Sequence, residues 1–495
     1  MRKLTVLTGV MLLSACSLYE KPEVPALEVP DDFKVELNFT NPYLKNEWWE
    51  NFNDETLNAL VEQALEENYN YQVALNNIDI AQTYVAQNRS YLFPQVGAGF
   101  NASRNKFVPD EFFGAFSTPT APPPLDPGAQ AKSATPSSSA ASNSSSSFIN
   151  GGIFDVNMVS AYASYELDVW NQIRNSVKQA AAVVRVNEAE SDVIKLTLVS
   201  NVVNTYFQLM ALYANRDNLT EQHHAALSLM QLVEVQNRSG LIDASSLYNA
   251  QIQAESILIA LQQIKKQQQI LEYMLAYLLG EYPEDFAIKP HNHFNTLPYT
   301  ELIPEGIPAQ MLALRPDIQS AYFQVISYGY LEKQALANFL PTFTLTGGYG
   351  YASSTFSNLI NNSNAFWDYG LGISQYVFDY AVRESQYDRA GEQFESSILS
   401  YQNTVLNAFL EVNTALVSYQ EDAIALDAIK KQKQQNTELF SISDAQYQAG
   451  LVNYTVYLTN ELNLLQSEYN LVNQQLMVTQ DIIQIYKALG LGLES

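Results

Sequence analysis

Gln236-Asn237-Arg238-Ser239-Gly240-Leu241 and Gln446-Tyr447-Gln448-Ala449-Gly450-Leu451 stand 210 residues apart, and each opens a proline-free stretch that closes on Leu-Gly, at Gly280 and Gly490. A duplicated unit constrains the fold more than any local propensity does. Upstream, residues 165–174 (YELDVWNQIR) and 375–384 (QYVFDYAVRE) keep the offset of 210. Further back the offset becomes 247, with Leu65, Ala74, Ile78 and Pro94 matching Leu312, Ala321, Val325 and Pro341. The 37 extra residues fall between Pro94 and Trp170, so the first repeat carries an insertion near residues 107–150. Its Pro, Ser and Ala composition predicts a disordered surface loop. The resulting division is residues 16–280 for an N-terminal extension and first repeat, and residues 281–495 for a linker and second repeat.

Around the two Gly-Leu pairs, helix breakers are nearly absent. Gly240 is the only glycine within 153–279, Gly450 the only one within 392–489, and no proline lies between Pro136 and Pro283 or after Pro341. Each repeat therefore predicts a long helical hairpin with its turn at the glycine. One continuous helix from Trp170 to Arg238 would extend roughly 100 Å. The returning helices carry seven-residue seams, Leu247, Ala250, Ala254, Ile257, Leu261, Ile264, Gln268, Leu271, Leu275 and Leu278 in the first, and Leu458 through Thr479 to Tyr486 in the second. Such seams pack helices side by side. Gln268 and Thr479 interrupt them and predict faces that also meet water.

After Pro94 and Pro341 the period changes to two. Phe343, Leu345, Tyr349 and Tyr351 alternate with Thr342, Thr344, Thr346, Gly348 and Gly350; Trp367, Tyr369, Leu371 and Ile373 alternate with Asp368, Gly370, Gly372 and Ser374; Val96, Ala98 and Phe100 alternate with Gln95, Gly97 and Gly99. Phe154, Val156 and Met158 against Asp155 and Asn157 extend the pattern to a fourth strand. Apolar outward and polar inward is what lipid-facing barrel strands require, although a half-buried soluble sheet alternates in the same way. Four strands are too few to close a barrel around a wet lumen, so oligomerisation follows if the strands are membrane-embedded.

The rest of the composition narrows the function. The chain has 26 Lys plus Arg against 52 Asp plus Glu, a net charge of −26, which opposes binding to a phosphate backbone and excludes nucleic acid as a partner. One cysteine and four histidines give no metal-ligand set, the pair His291 and His293 lacking a third ligand. No phosphate-binding Gly-rich loop, nucleophile elbow or His-Glu-x-x-His motif is present, so neither an enzyme nor a cofactor is expected. At the N-terminus, Arg2 and Lys3 precede a short apolar run ending Leu13-Ser14-Ala15-Cys16, the layout of a signal peptide over residues 1–15. That ending resembles a bacterial lipobox, which implies lipidation of Cys16 and, with Ser17 following, an outer-membrane address.

Taken together the chain resembles the outer-membrane factor family, the TolC-like proteins, and within it the lipoprotein branch of efflux channels. The resemblance is carried by the lipobox; by Trp48-Trp49 followed by Leu57, Leu60 and Ala64-Leu65; by Leu314-Arg315-Pro316-Asp317-Ile318; by Phe339-Leu340-Pro341; by Tyr165 to Trp170; and by the twin Gly-Leu turns. It implies a mainly helical fold with a small β part: a homotrimer whose four strands per chain form a twelve-stranded barrel continued by a helical tunnel in the periplasm. It also implies docking on a periplasmic adaptor and an inner-membrane transporter, in a tripartite efflux pump or a type I secretion system. The turns at Gly240 and Gly450, with Val452, Asn453 and Tyr454, would form the periplasmic aperture. Where relatives have glycine after the strand this chain has Asn171 and Ala381, and Val452 replaces an aspartate that commonly narrows the pore. Asp243 and Asp444 are the substitutes by proximity. The alternative of another class is a non-conducting lipoprotein whose coiled coils bridge the envelope.

Overall fold

A computed structural model describes residues 20–25, 30, 47–106, 153–284, 286, 288, 312, 315–379 and 381–491. The predicted signal peptide, Cys16, the insertion at 107–150, His291 and His293 lie outside these residues. The chain divides into two compact units: one contains Gln87–Arg174 and Leu336–Arg383, the other Tyr19–Ala86, Asn175–Ala335 and Glu384–Ser495.

The first unit holds a four-stranded antiparallel sheet in the order β1 (Gln95–Lys106), β2 (Ile153–Leu167), β3 (Thr342–Ser353) and β4 (Ala365–Ser374). The two repeats thus join through β2 and β3, with Ala161 opposite Tyr349 and Tyr165 opposite Leu345. Paired residues share a face, so the register assigns every side chain to one side of the sheet. One side carries Val96, Phe100, Leu345, Tyr349, Trp367, Tyr369, Leu371 and Ile373, all exposed, with Trp367 at 69% and Tyr369 at 79%. The other carries Gln95, Gly97, Gly99, Ser160, Ser164, the threonines of β3 and the glycines of β4. The alternation read from sequence holds for β1, β3 and β4. It fails in the first half of β2: Val159 pairs with Phe100 and Asn157 with Ala102, which puts Asp155 and Asn157 on the apolar side and Phe154, Val156 and Met158 on the polar one. There Asp155 meets its β1 partner Arg104, 2.8 Å from Nε, so the charge is balanced locally.

The second unit is helical. A 3-10 turn, Trp48–Phe52, precedes α1 (Glu55–Glu67) and α2 (Tyr69–Ser90); α3 (Gln172–Arg238) and α4 (Ala244–Leu278) form the first hairpin; α5 (Pro316–Ala337), α6 (Val382–Gln448) and α7 (Tyr454–Leu489) complete the second repeat. Both outgoing helices, α3 and α6, run for 67 residues, while the returning α4 and α7 have 35 and 36. At 1.5 Å per residue the long legs extend about 100 Å and the short ones about half that.

The main core gathers Leu57, Val61, Val202, Leu209, Leu275, Val412 and Ile482 with Trp48, whose ring stacks on Tyr486 at 5.0 Å. Asp54 caps α1, accepting from the amides of Thr56 and Leu57, and its other carboxylate oxygen accepts from the buried Tyr206 hydroxyl at 2.5 Å. Burial first, and the hydrogen bond to Asp54 second, raise the Tyr206 pKa far above its ordinary value. The seams of α4 and α7 are buried as their spacing predicts, from Ala250 to Leu278 and from Leu458 to Tyr486. The two polar interruptions are corrected: Gln268 and Thr479 are buried in the bundle, not at a water face. Thr479 satisfies its hydroxyl on the Gln475 carbonyl at 2.8 Å, as helix-interior threonines do.

An extended segment before these helices, Glu20 to Val24, lies along α5. Lys333 Nζ donates to the Glu20 carbonyl at 2.5 Å, Pro22 packs on Gly329 so closely that a Cβ there would lie 2.7 Å from its Cγ, and Val24 joins Ile326 and Tyr330.

Candidate functional site

Four glycines adopt positive φ, Gly240, Gly280, Gly450 and Gly490, and each ends a helix. In every case the next amide reaches back to the carbonyl five residues before it, as from Leu241 to Gln236 at 2.9 Å and Leu451 to Gln446 at 2.8 Å. This is the Schellman termination, which glycine favours because the left-handed backbone penalises a Cβ. The residue after each hairpin glycine commonly folds back on its own helix. Here Leu241 and Leu451 are each 75% exposed, so both tips end on a bare leucine.

The helix that follows each tip is capped by a side chain at the same place in the repeat. Asp243 accepts from the Ser246 amide at 3.0 Å and from the Ser245 and Ser246 hydroxyls; Asn453 accepts from the Val456 amide at 3.0 Å. The Ser246 and Ser245 hydroxyls and the Ser246 amide hold the Asp243 carboxyl below its usual pKa, so it stays ionised while exposed. Asp444 sits half-buried before the second turn and accepts from Gln448 Nε2 at 3.0 Å. Val452 is half-buried between them in sequence and carries no charge.

The tips differ in packing. Phe440, Tyr447, Tyr454 and Tyr457 form a ring cluster in the second hairpin, with Tyr454 stacked on Tyr457 at 5.6 Å. The corresponding first-hairpin turn is tied instead by Asn237 Nδ2 donating to the Ile242 carbonyl at 3.1 Å. The hairpins meet through Leu229, Val233 and Ala250 against Leu458 and Leu462, with Ile242 and Tyr454 at the margin.

The signature Arg315-Pro316-Asp317 is a clamp. Arg315 is buried; its guanidinium binds Asp317 in two-point fashion at 3.0 and 2.6 Å, reaches Glu411 of α6 at 2.7 Å and donates to the Ala488 carbonyl of α7. Burial pulls the Arg315 pKa down, and the hydrogen bonds to Asp317 and Glu411 more than reverse it. The first repeat closes in the same way with a different residue: Asn68, 247 positions before Arg315, donates to the Leu278 carbonyl at 2.9 Å, 210 positions before Ala488. Sequence reading misses Asn68 because asparagine and arginine share no motif; the two offsets taken together are the signal that finds it.

In the sequence the acidic pair Glu421-Asp422 reads as helix-surface solvation, not as a general acid. Glu421 is exposed, but Asp422 of α6 faces α7, accepting from Gln474 Nε2 at 2.9 Å and standing against Asp481. Burial first, and Asp422 second, push the Asp481 carboxyl up to about 7. The strand-to-helix junctions keep the left-handed backbone without glycine, at φ 59 for Asn171 and φ 64 for Ala381. Among the described residues no group of His, Cys, Asp and Glu could hold a metal ion, and no helix is long and apolar enough to cross a membrane.

These features define a class: a small sheet with one bare apolar side, joined to helices far longer than a globular core uses. The fold is that of outer-membrane channels, shared with the Campylobacter jejuni CmeC outer membrane channel at a TM-score of 0.80 and 23% identity, over 96% of this chain and 95% of that one. The outer membrane efflux protein model matches residues 60–281 and 307–491, and the chain belongs to that family. Among curated relatives it is 25% identical to the pyoverdine export outer membrane protein OpmQ of Pseudomonas aeruginosa, over all of this chain and 98% of that one. It is 26% identical to the solvent efflux pump outer membrane protein SrpC of Pseudomonas putida, over 89% and 86% of the two chains. The protein is thus an outer-membrane efflux channel component, and its family is one of transport channels.

Proposed function

We propose that three copies close their sheets into one twelve-stranded barrel in the outer membrane, and that their long helices form a periplasmic tunnel ending at the Gly240 and Gly450 turns. The observation that carries this is the two-sidedness of the sheet. Trp367, Tyr369, Leu371 and Ile373 cost free energy in water and gain it in lipid, about 25 cal/mol per Å², whereas Gly, Ser and Thr on the other side suit a wet lumen. Among the described residues the sheet order leaves one edge of β1 and one of β4 unpaired, and backbone groups cannot stay unpaired in hydrocarbon. A bridge that only spans the envelope would need neither feature.

The tip is the gate. Bare Leu241 and Leu451 are the apolar knobs on which a periplasmic adaptor docks, linking the duct to an inner-membrane transporter that supplies the energy. Asp243 and Asp444, repeated around a threefold axis, make the aperture attractive to cations. Cys16 carries the lipid that holds the chain at the membrane while it assembles. The SrpC and OpmQ names suggest a solvent or a pyoverdine as cargo.

Planar-bilayer recording tests the proposal. The purified protein is expected to give a small cation-preferring conductance; Asp243→Asn, which keeps the cap and removes the charge, should lower the preference; Asp243→Ala, which loses a cap worth about 1 kcal/mol, should raise the conductance severalfold. Complete absence of current in all three proteins would favour the envelope bridge.

A further inference from the structure

The polar side of the sheet accommodates large side chains where a neighbouring strand supplies a glycine. Along one rung, Gly97 pairs with Tyr162, Tyr162 with Gly348, and Gly348 with Asp368. A Cβ on Gly97 would lie 2.5 Å from Tyr162 Cζ, and a Cβ on Gly348 would lie 2.5 Å from Asp368 Oδ1. The tyrosine ring therefore lies down over β1 and the carboxylate over β3, each in the space that a missing side chain leaves. Among the described residues nothing hydrogen-bonds the Tyr162 hydroxyl and nothing pairs with the Asp368 carboxylate. The strand residues on this side include Glu166, two rungs away opposite Thr344, and no Lys or Arg; Arg104 and Lys106 belong to the apolar side.

We infer that Tyr162 and Asp368 form a selectivity girdle in the strand-lined passage that favours organic cations, the carboxylate attracting the charge and the tyrosine ring contacting its apolar surface. The inference rests on the proposed closure of the sheet with its glycine side inward. Two strand spacings separate the two side chains by about 10 Å, so a small quaternary ammonium ion between them reaches both. Three copies would place three carboxylates and three aromatic rings at one level, with no Lys or Arg among the described strand residues of this side to neutralise them. The glycines fix the arrangement: a side chain at Gly97 or Gly348 would push the ring or the carboxylate off the wall.

The test uses full-length protein in planar bilayers, in the Asp243→Ala/Asp444→Ala background so that the tip carboxylates do not set the selectivity. Potassium over chloride permeability and block by tetraethylammonium are measured. Asp368→Asn is expected to lower the permeability ratio about threefold and weaken the block about tenfold. Tyr162→Ala should weaken the block with little change in the ratio, and Tyr162→Phe should restore it. Conducting Asp368→Asn channels with the ratio and block of the background protein would overturn the girdle. Loss of current in every variant, the background included, would count against the conduit itself, and a second measurement then decides the girdle separately. In outer-membrane vesicles a cationic methanethiosulfonate should modify D368C at least tenfold faster than W367C, and the opposite order would place Asp368 on the lipid side and overturn the inference.

Discussion

Ala381 holds a left-handed backbone, φ 64, at the repeat position where Asn171 holds φ 59. An alanine there is strained by about 1 kcal/mol or more because its Cβ crowds the following carbonyl, whereas asparagine tolerates the conformation better. Ala381→Gly is therefore expected to stabilise the protein by about 1 kcal/mol, Asn171→Gly to be near neutral, and Gly450→Ala to destabilise by about as much as Ala381→Gly gains. Thermal unfolding of the detergent-extracted protein checks all three, and a lower midpoint for Ala381→Gly would contradict the strain argument. The junction geometry was partly legible in sequence: the absence of glycine raised the question, but only the backbone shows that the turn keeps its shape at a conformational cost.

Between elements, the contact of α6 with α7 contains a titrating pair. The charged and titratable groups acting on Asp481 are Asp422 and Tyr419, both from α6, and no cation offsets them among the described residues. The folded Asp481 binds its proton up to about pH 7, whereas the unfolded carboxyl releases it near its ordinary 3.8. The folded state thus holds the extra proton between these values, and stability falls as pH rises across that window, fully present below it and lost above about 7. Melting curves at pH 5 and pH 8 should show a higher midpoint at pH 5. Asp481→Asn, which keeps the shape without the charge, should remove most of the difference, and an unchanged difference would exclude this pair as its source. Sequence placed Asp422 on a solvated surface because period alone does not show which helix covers a polar side chain. The same limit explains Gln268 and Thr479, polar residues on an apolar seam that the neighbouring helices bury. In β2 the limit is of another kind. Apolar residues at 154, 156 and 158 suggest an outward face, yet the register with β1 decides it, and pairing of Asp155 with Arg104 reverses the local pattern.

For the whole molecule the duplication was the most legible feature, since both offsets, 210 and 247, recur in the helix ends, the caps and the latches at Asn68 and Arg315. What a single chain leaves open is its own closure. Val96, Trp367 and Tyr369 lie bare, and so do Leu406 and Leu410 of α6 and Ile252 and Ile259 of α4, an amount of apolar surface that a monomer in water rarely exposes. In the proposed trimer the barrel would cover the sheet, and neighbouring copies along the tunnel would cover the helices. Electron microscopy of the detergent-extracted protein, with its mass measured in the same preparation, tests this most directly. Three chains in a threefold cylinder, with a detergent belt around the strand end, is the predicted result; a monomer with a four-stranded sheet and no belt would contradict it.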